Sequence, residues 1–346
     1  MSDTMRAALW TGPESVACRT VSRPVAGPGQ ALVRVAYGGI CGTDLMIYLG
    51  KHARAVAPLV MCHEFVGTIA WADGEAFPVG APVAINPLLS CGHCYACTHG
   101  RAHVCETLKL VGIDTDGGFA EYAVVPLHTV RPLPPELPLI EAALAEPLAV
   151  AVHAVRVSDL KVGDVTAVLG AGPIGIMTAQ VARLAGARRV LVSERSPKRL
   201  EIARTLGFDA IDSSQTSPVE AIRAATAGGA ASEGAGVPVV FETAGVQATI
   251  ADALAVARIG GQILQVGMPK TPPTLDVTRL IFREVRLTPI RVYREEDFDQ
   301  AIAIAATGRL DLRTPVTHVL PLEQLGEALE LAHAATDSCK ILIEPR

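Results

Sequence analysis

The stretch from Asp164 to Glu194 narrows the possible folds more than any other part of the chain. Val165-Thr166-Ala167-Val168-Leu169 is an apolar run, and Gly170-Ala171-Gly172-Pro173-Ile174-Gly175 follows it directly. A helical run then extends to about Ala185. Arg189-Val190-Leu191-Val192-Ser193 is a second apolar run, ending on Glu194. The order is strand, turn, helix, strand. Gly170 permits the tight turn, Gly172 lets backbone approach a pyrophosphate, and Gly175 lets helix pack on strand. The helix start, at Pro173 and Ile174, offers unpaired N–H groups and a positive dipole end to phosphates. Pro173 gives up only an N–H that has no partner there. Glu194, about 20 residues beyond the turn, is placed to accept hydrogen bonds from an adenosine ribose. The bland alternative is a glycine turn without a ligand; the acid at the end of the second strand argues for a dinucleotide. A carboxylate repels the extra phosphate of NADP, so NAD is favoured, although Arg195 beside it is a residue type that holds a 2′-phosphate. Arg199 is counted with the same cofactor site.

A chain of 346 residues has room for two domains. Half of the residues are apolar and 4% aromatic, as expected of α/β layers packed with Ala, Val, Leu and Ile. The net charge of −5 gives no basis for binding nucleic acid or an anionic membrane. No apolar run is long enough to span a bilayer, and Met1 to Arg6 has no signal-peptide core behind it. A cytoplasmic protein is expected, whose eight cysteines are metal ligands or buried thiols rather than disulfides.

From Met5 to about Val130 the chain is β-rich, broken at Gly12-Pro13 and Gly27-Pro28-Gly29, with no regular helices; Ala31 to Val35 reads as a strand. A barrel-like antiparallel domain is expected over 1–150, ahead of a doubly wound parallel sheet over 151–287. Between them, Glu141 to about Val155 has helical spacing, and Pro147 is expected to break it and turn the Glu146 carboxylate inward. Ser196-Pro197 starts a helix that Gly207 ends. Residues 228–236 read as a surface loop. Thr243, Val266 and Gly267 follow their strands directly, at the carboxyl ends where open parallel sheets gather ligands. From 288 to 346 the pattern changes again, and the closing strand Lys340 to Ile343 reads as a return to the first domain.

Two groups of residues have metal-ligand chemistry. Cys41, in Gly39-Ile40-Cys41-Gly42-Thr43-Asp44, and His63-Glu64 are unremarkable one at a time. Together they hold a thiolate, an imidazole and carboxylates, a set that suits zinc. Asp44 is a candidate to orient the histidine from behind, or else a turn cap. The second group is Cys91, Cys94, Cys97 and Cys105, spaced C-x2-C-x2-C-x7-C. Four thiolates in one loop close a tetrahedron, which makes a structural zinc site with no open position. The spacing to the last cysteine and the absence of a following proline speak against an iron–sulfur cluster. His93, His99 and His103 read as solvated loop residues, and Cys18 and Cys339 as packing residues.

These pieces, with Gly117-Gly118-Phe119-Ala120-Glu121-Tyr122, Glu146-Pro147-Leu148 and the helix start between Tyr293 and Ile302, resemble the medium-chain dehydrogenase/reductase family over nearly the whole chain. The resemblance implies a GroES-like catalytic domain, a Rossmann domain and a zinc-dependent alcohol or polyol dehydrogenase. It implies a catalytic zinc on Cys41 and His63, with Glu64 and Glu146 competing for the third place. Thr43 takes the position of the hydroxyl that hydrogen-bonds the substrate oxygen. The Cys41 stretch and the cysteine lobe look most like threonine dehydrogenases. Glu146-Pro147-Leu148-Ala149-Val150 looks more like sorbitol and butanediol dehydrogenases, which favours a polyol or vicinal diol, with threonine as the alternative substrate and a non-catalytic NAD sensor as a remote one. Homodimers or homotetramers are implied. Two departures stand out. Met46 replaces a histidine that often relays protons, so protons must leave elsewhere, by His52 or water along Glu64. Cys62 stands where glycine usually precedes the histidine, and is expected to fill space.

Overall fold

A computed structural model describes residues 3–227 and 235–345. The loop expected over 228–236 falls mostly outside the described residues. No helix among them is long and apolar enough to cross a membrane. The chain forms two compact units, one of residues 1–146, 294–308 and 316–346, the other of 147–293 and 309–315.

In the first unit β1 (Thr4–Gly12) and β2 (Ser15–Ser22) form a hairpin, followed by β3 (Gln30–Gly39) and a short helix α1 (Gly42–Tyr48). Next come β4 (Leu59–Val60), β5 (Glu64–Ala72), β6 (Pro82–Ile85) and β7 (Leu88–Leu89). The cysteine lobe carries α2 (Tyr95–Thr98) and ends at β8 (Lys109–Leu110), which pairs with β7. Then follow β9 (Tyr122–Pro126), β10 (Val130–Pro132) and α3 (Leu139–Ala142); α4 (Ala145–Arg156) begins in this unit and passes into the second at Pro147. Strand β3 shows why the sheet forms: Ala31, Val33 and Val35 belong to the core, and on the opposite face Leu32 and Ala36 are buried too, with Arg34 alone exposed in the strand. Two expectations need correction. The region does contain a helix, α1, which begins where the Asp44 side chain folds back onto the Cys41 N–H; cysteine is not a usual cap residue, so its start was not visible. The expected break at Pro147 is not there. Proline is the third residue of α4, where its missing N–H would have no partner, and the helical run breaks earlier, at Ala143-Leu144.

The second unit alternates β11 (Val165–Leu169), α5 (Pro173–Leu184), β12 (Arg189–Glu194), α6 (Pro197–Thr205), β13 (Asp209–Asp212), α7 (Pro218–Thr226), β14 (Val237–Glu242), α8 (Gln247–Val256), β15 (Ala257–Gln265), α9 (Val277–Arg283) and β16 (Arg286–Pro289). All its strands are parallel, in the order β13-β12-β11-β14-β15-β16. Every residue of β11 is buried, as a strand covered on both faces requires. The strand order reverses between β11 and β14, and the crevice beyond their carboxyl ends is where such sheets hold ligands. This unit extends past the expected residue 287, because β16 is part of its sheet. It also keeps residues 309–315, where the Gln180 side-chain amide bonds the Asp311 backbone in both directions, at 3.0 and 2.8 Å.

The last segments, α10 (Glu295–Ala306), β17 (Val316–Pro321), α11 (Leu325–Ala334) and β18 (Lys340–Glu344), belong to the first unit. Strand β18 lies parallel to β17 and antiparallel to β3, with Leu342 opposite Gly39. The large sheet therefore runs β10-β6-β5-β3-β18-β17, with β9 also on β3. The end of the chain is thereby set beside Cys41 and Glu64.

Candidate active site

Cys41 caps α1, and Glu64 opens β5 one residue after His63. Asp44 ties the two segments together. Its Oδ2 accepts the Cys41 N–H at 2.9 Å and its Oδ1 accepts the Cys62 N–H at 3.2 Å. Asp44 therefore does not orient the imidazole by a hydrogen bond; it clamps backbone to backbone, and so holds both ligating residues. The Cys41 sulfur, a His63 ring nitrogen and a Glu64 carboxylate oxygen all lie within 4.8 Å of one another. His63 is 4% exposed, and its Nδ1 is buried without a hydrogen-bond partner. Burial alone would lower the His63 pKa, but the Cys41 sulfur, Asp44 and Glu146 hold it well above the usual imidazole value. A pocket that concentrates this much negative charge around an unsatisfied ring nitrogen fits a cation, and a thiolate, imidazole and carboxylate set fits zinc.

Glu146 is buried and close enough for its charge to act on His63 and Lys340, but it lies outside the 4.8 Å cluster. The Thr43 hydroxyl stands 3.8 Å from the Cys41 sulfur. Cys62 is fully buried, and its Sγ is directed at the carbonyls of Glu64 (3.3 Å) and Gly39 (3.7 Å). Burial, with Asp44 and Glu64 nearby, pushes its thiol pKa well above the ordinary value. A neutral S–H bonded to carbonyls is filler, not ligand. Cys62 also has a φ of +86°, the left-handed region that favours glycine.

The sequence reading missed one residue here. Lys340, first in β18, is 1% exposed, and its ammonium bonds Glu64 Oε2 and the Ile40 carbonyl. Burial lowers its pKa, but Glu64 and Cys41 outweigh that and raise it, so the side chain is a fixed buried cation. The one available signal was a lysine heading the apolar run Ile341-Leu342-Ile343.

The four-cysteine lobe assembles as the spacing predicts. Sγ of Cys97 lies 3.9 Å from that of Cys91 and 3.5 Å from that of Cys94. Backbone N–H groups point at the sulfurs, from Cys94 to Cys91 at 3.4 Å and from Cys91 to Cys105 at 3.3 Å. Donors from His93 and Cys94 lower the Cys91 thiol to about 6, whereas desolvation and the Cys94 thiol push Cys97 up to about 11. Crowded thiols pull one another apart in this way until a cation lets all of them ionise. The lobe histidines turn elsewhere: the His93 Nδ1 meets the Cys91 carbonyl at 2.8 Å, and His99 stacks on Tyr95 at 4.1 Å.

In the second unit each turn glycine has its own steric reason. Gly170 has φ of +106°. A Cβ on Gly175 would stand 1.9 Å from the Gly170 carbonyl oxygen, so α5 packs against the turn only with glycine there. A Cβ on Gly172 would meet only the Arg199 guanidinium, at 3.8 Å. That open space beside half-buried backbone fits a pyrophosphate. The Thr243 hydroxyl bonds the carbonyls of Leu169 and Gly170, at 3.0 and 2.9 Å, and so braces the turn. Val266 and Gly267 sit beyond β15 with their N–H groups on the Glu242 carbonyl, at 2.8 and 2.9 Å. The Glu194 carboxylate does not project into solvent. Oε2 accepts the Ala171 N–H at 2.9 Å, and Oε1 accepts those of Arg195 and Ser196 at 2.7 and 3.0 Å. Arg195 is exposed, and among the described residues its guanidinium has no partner.

Two family models match the chain, an alcohol dehydrogenase GroES-like domain over residues 27–135 and a zinc-binding dehydrogenase domain over 173–307. The chain belongs to the zinc-dependent medium-chain dehydrogenase/reductase family, and it is an NAD(P)-dependent alcohol oxidoreductase with GroES-like and Rossmann units. It is 38% identical over 319 residues to the 2-dehydro-3-deoxy-L-galactonate 5-dehydrogenase of Pseudoalteromonas atlantica, covering 91% of this chain and 92% of that one. An alignment of 356 residues with an L-threonine 3-dehydrogenase of Symbiobacterium thermophilum is 36% identical and covers 100% of this chain and 99% of the relative. A zinc-binding dehydrogenase of Sinorhizobium meliloti, solved bound to NADP, superposes with a TM-score of 0.92 at 32% identity, covering 99% of this chain and 100% of that one.

Proposed function

We propose that the chain oxidises a secondary alcohol that carries a neighbouring hydroxyl, a polyol or vicinal diol, with NAD as acceptor. The observation that carries this is the cluster of Cys41, His63 and Glu64 within 4.8 Å, in a chain that also holds a dinucleotide turn. We assign these three as the donors to a catalytic zinc, with Glu146 as the nearby carboxylate that does not ligate directly, and the four cysteines as donors to a structural zinc. When bound, zinc would act as a Lewis acid on the alcohol oxygen and the nicotinamide would accept the hydride.

The chain's own residues supply the rest. The Thr43 hydroxyl, beside Cys41, receives the substrate's hydroxyl proton. Met46 cannot pass it on. His52 can: the neutral ring carries its proton on Nε2, takes the incoming one on Nδ1 in place of the long contacts from the N–H groups of Arg54 and Ala55, at 3.4 and 3.2 Å, and gives up the one on Nε2. The charge of His63 also reaches His52. NAD is preferred to NADP because three backbone N–H groups pin the Glu194 carboxylate and prevent it from swinging away from a 2′-phosphate. Arg195 is the residue that offers such a phosphate a counter-charge.

The polyol reading is supported by the Glu146-Pro147-Leu148-Ala149-Val150 stretch and by a relative named for oxidation of a sugar acid. The threonine reading is supported by the Cys41 stretch and by the threonine dehydrogenase relative. A screen of polyols, diols and threonine separates them. Homodimers or homotetramers are expected, to be checked by sedimentation equilibrium. The decisive test of the metal chemistry is chelation. Stripping the metal should abolish NAD-linked alcohol oxidation and added zinc should restore it; undiminished turnover would sink the proposal.

A further inference from the structure

Lys340 is buried where the alcohol chemistry gives it no task. It heads β18, and the residues behind it, Ile341, Leu342 and Ile343, are core. Its Nζ donates to Glu64 Oε2 and to the Ile40 carbonyl, the latter at 2.9 Å. Both partners adjoin the metal donors, since Ile40 precedes Cys41 and Glu64 is itself a donor. Gly39 makes the room: a Cβ there would stand 2.7 Å from Glu64 Oε2 and 2.8 Å from Lys340 Cε. A buried ion pair is a poor way to gain stability, because desolvating two charges offsets most of their attraction. Its place beside the cluster points to another role.

We propose that Lys340 is a positioning residue that occupies one oxygen of Glu64 and thereby keeps the fourth coordination place of the Cys41–His63–Glu64 site free for substrate. The inference rests on the ligand set proposed above. A catalytic zinc keeps three protein ligands and one open position. A carboxylate has two oxygens, and if it offered both it would close that position. With Oε2 bonded to an ammonium, Glu64 has a single unengaged oxygen to offer. Lys340 also sets a positive charge among Cys41, Glu64 and Glu146, which limits the negative charge the donors press on the ion and preserves its Lewis acidity. It acts through Glu64 and touches no substrate.

The test uses holoenzyme in which cobalt(II) replaces zinc at the catalytic site. An anion that enters an open place on cobalt shifts its visible bands, whereas a shell filled by protein donors leaves them unmoved. Wild type and Lys340→Arg are expected to show bands that azide shifts. Lys340→Met is expected to keep its cobalt but show bands that azide leaves unmoved, because both Glu64 oxygens then fill the shell, with kcat lowered by about 10–100-fold, the range typical of outer-shell changes. The double variant Lys340→Met with Glu64→Gln, whose amide chelates poorly, should regain the azide response, which loss of folding would not allow. Azide-responsive bands in Lys340→Met overturn the proposal. So does a wild-type cobalt protein whose bands azide leaves unmoved, a result that needs no variant to fold. If Glu64→Gln alone leaves the wild-type spectrum unchanged, Glu64 is not a donor, and the failure then lies in the proposed ligand set.

Discussion

Cofactor choice and the exit of the proton are the properties that single substitutions test. Glu194 is pinned by three backbone N–H groups, so its charge stays at the end of β12 whichever nucleotide arrives. Glu194→Gln removes that charge and keeps one of the two acceptor oxygens, the one that can face Arg195 and Ser196. It should move the NAD-to-NADP ratio of kcat/KM towards NADP by about tenfold, the factor that 1.4 kcal/mol represents. Arg195→Ala should move it the other way, and steady-state kinetics with both nucleotides reads the two shifts. At His52, burial and the neighbouring Arg54 lower the pKa from the ordinary 6.5. A proton acceptor works when neutral, that is, above its pKa. The kcat profile should therefore rise with pH through a value below 6.5 and then level off. In His52→Gln that limb should vanish. An unchanged profile would remove His52 from the proton path.

At the scale of elements, two short segments depend on what they pack against. The first turn of α5 touches the Gly170 carbonyl, and a methyl on Gly175 would stand 1.9 Å from its oxygen. Gly175→Ala should cost at least about 1–3 kcal/mol, as overpacking does, and should displace the turn that receives the pyrophosphate. Thermal melting and NADH fluorescence titration would show both losses. The cysteine lobe has little regular structure beyond α2 and the β7–β8 pair, so metal ligation must hold it. Cys97→Ser should lose the structural zinc while the catalytic one remains, and limited proteolysis should then cut first between residues 91 and 105. Both segments were legible in the sequence because their constraints are local: glycine spacing and cysteine spacing are fixed by a turn and by a tetrahedron. Helix α1 and the late start of α4 were not legible. The first begins at a cysteine, which carries no capping signal, and the second contains a proline that is harmless only in a first turn, a position no single residue announces.

In the whole molecule the two kinds of ligand belong to different units. The proposed metal donors lie in the first, and the glycine turn, Glu194, Arg195 and Thr243 in the second. Chelation should therefore lower the stability of the first unit, while NAD stabilises the second, by about 2.7 kcal/mol at a hundred times its Kd. Scanning calorimetry with each additive should shift different parts of the unfolding profile. A single transition moved equally by both would show that the units unfold as one.

Taken alone, the amino-acid order determined whatever short-range geometry dictates: a nucleotide turn framed by two strands, a four-thiolate loop, and the residue types of a zinc dehydrogenase. The tertiary structure decided which distant groups meet. It drew Cys41 to His63 through Asp44, left Glu146 outside the cluster, and brought Lys340 from the last strand onto Glu64. Pairing of β18 with β3 joins parts of the chain about 300 residues apart, as the Lys340 to Ile40 hydrogen bond does. No local pattern encodes such a contact, because the burial that fixes it is a property of the assembled sheet.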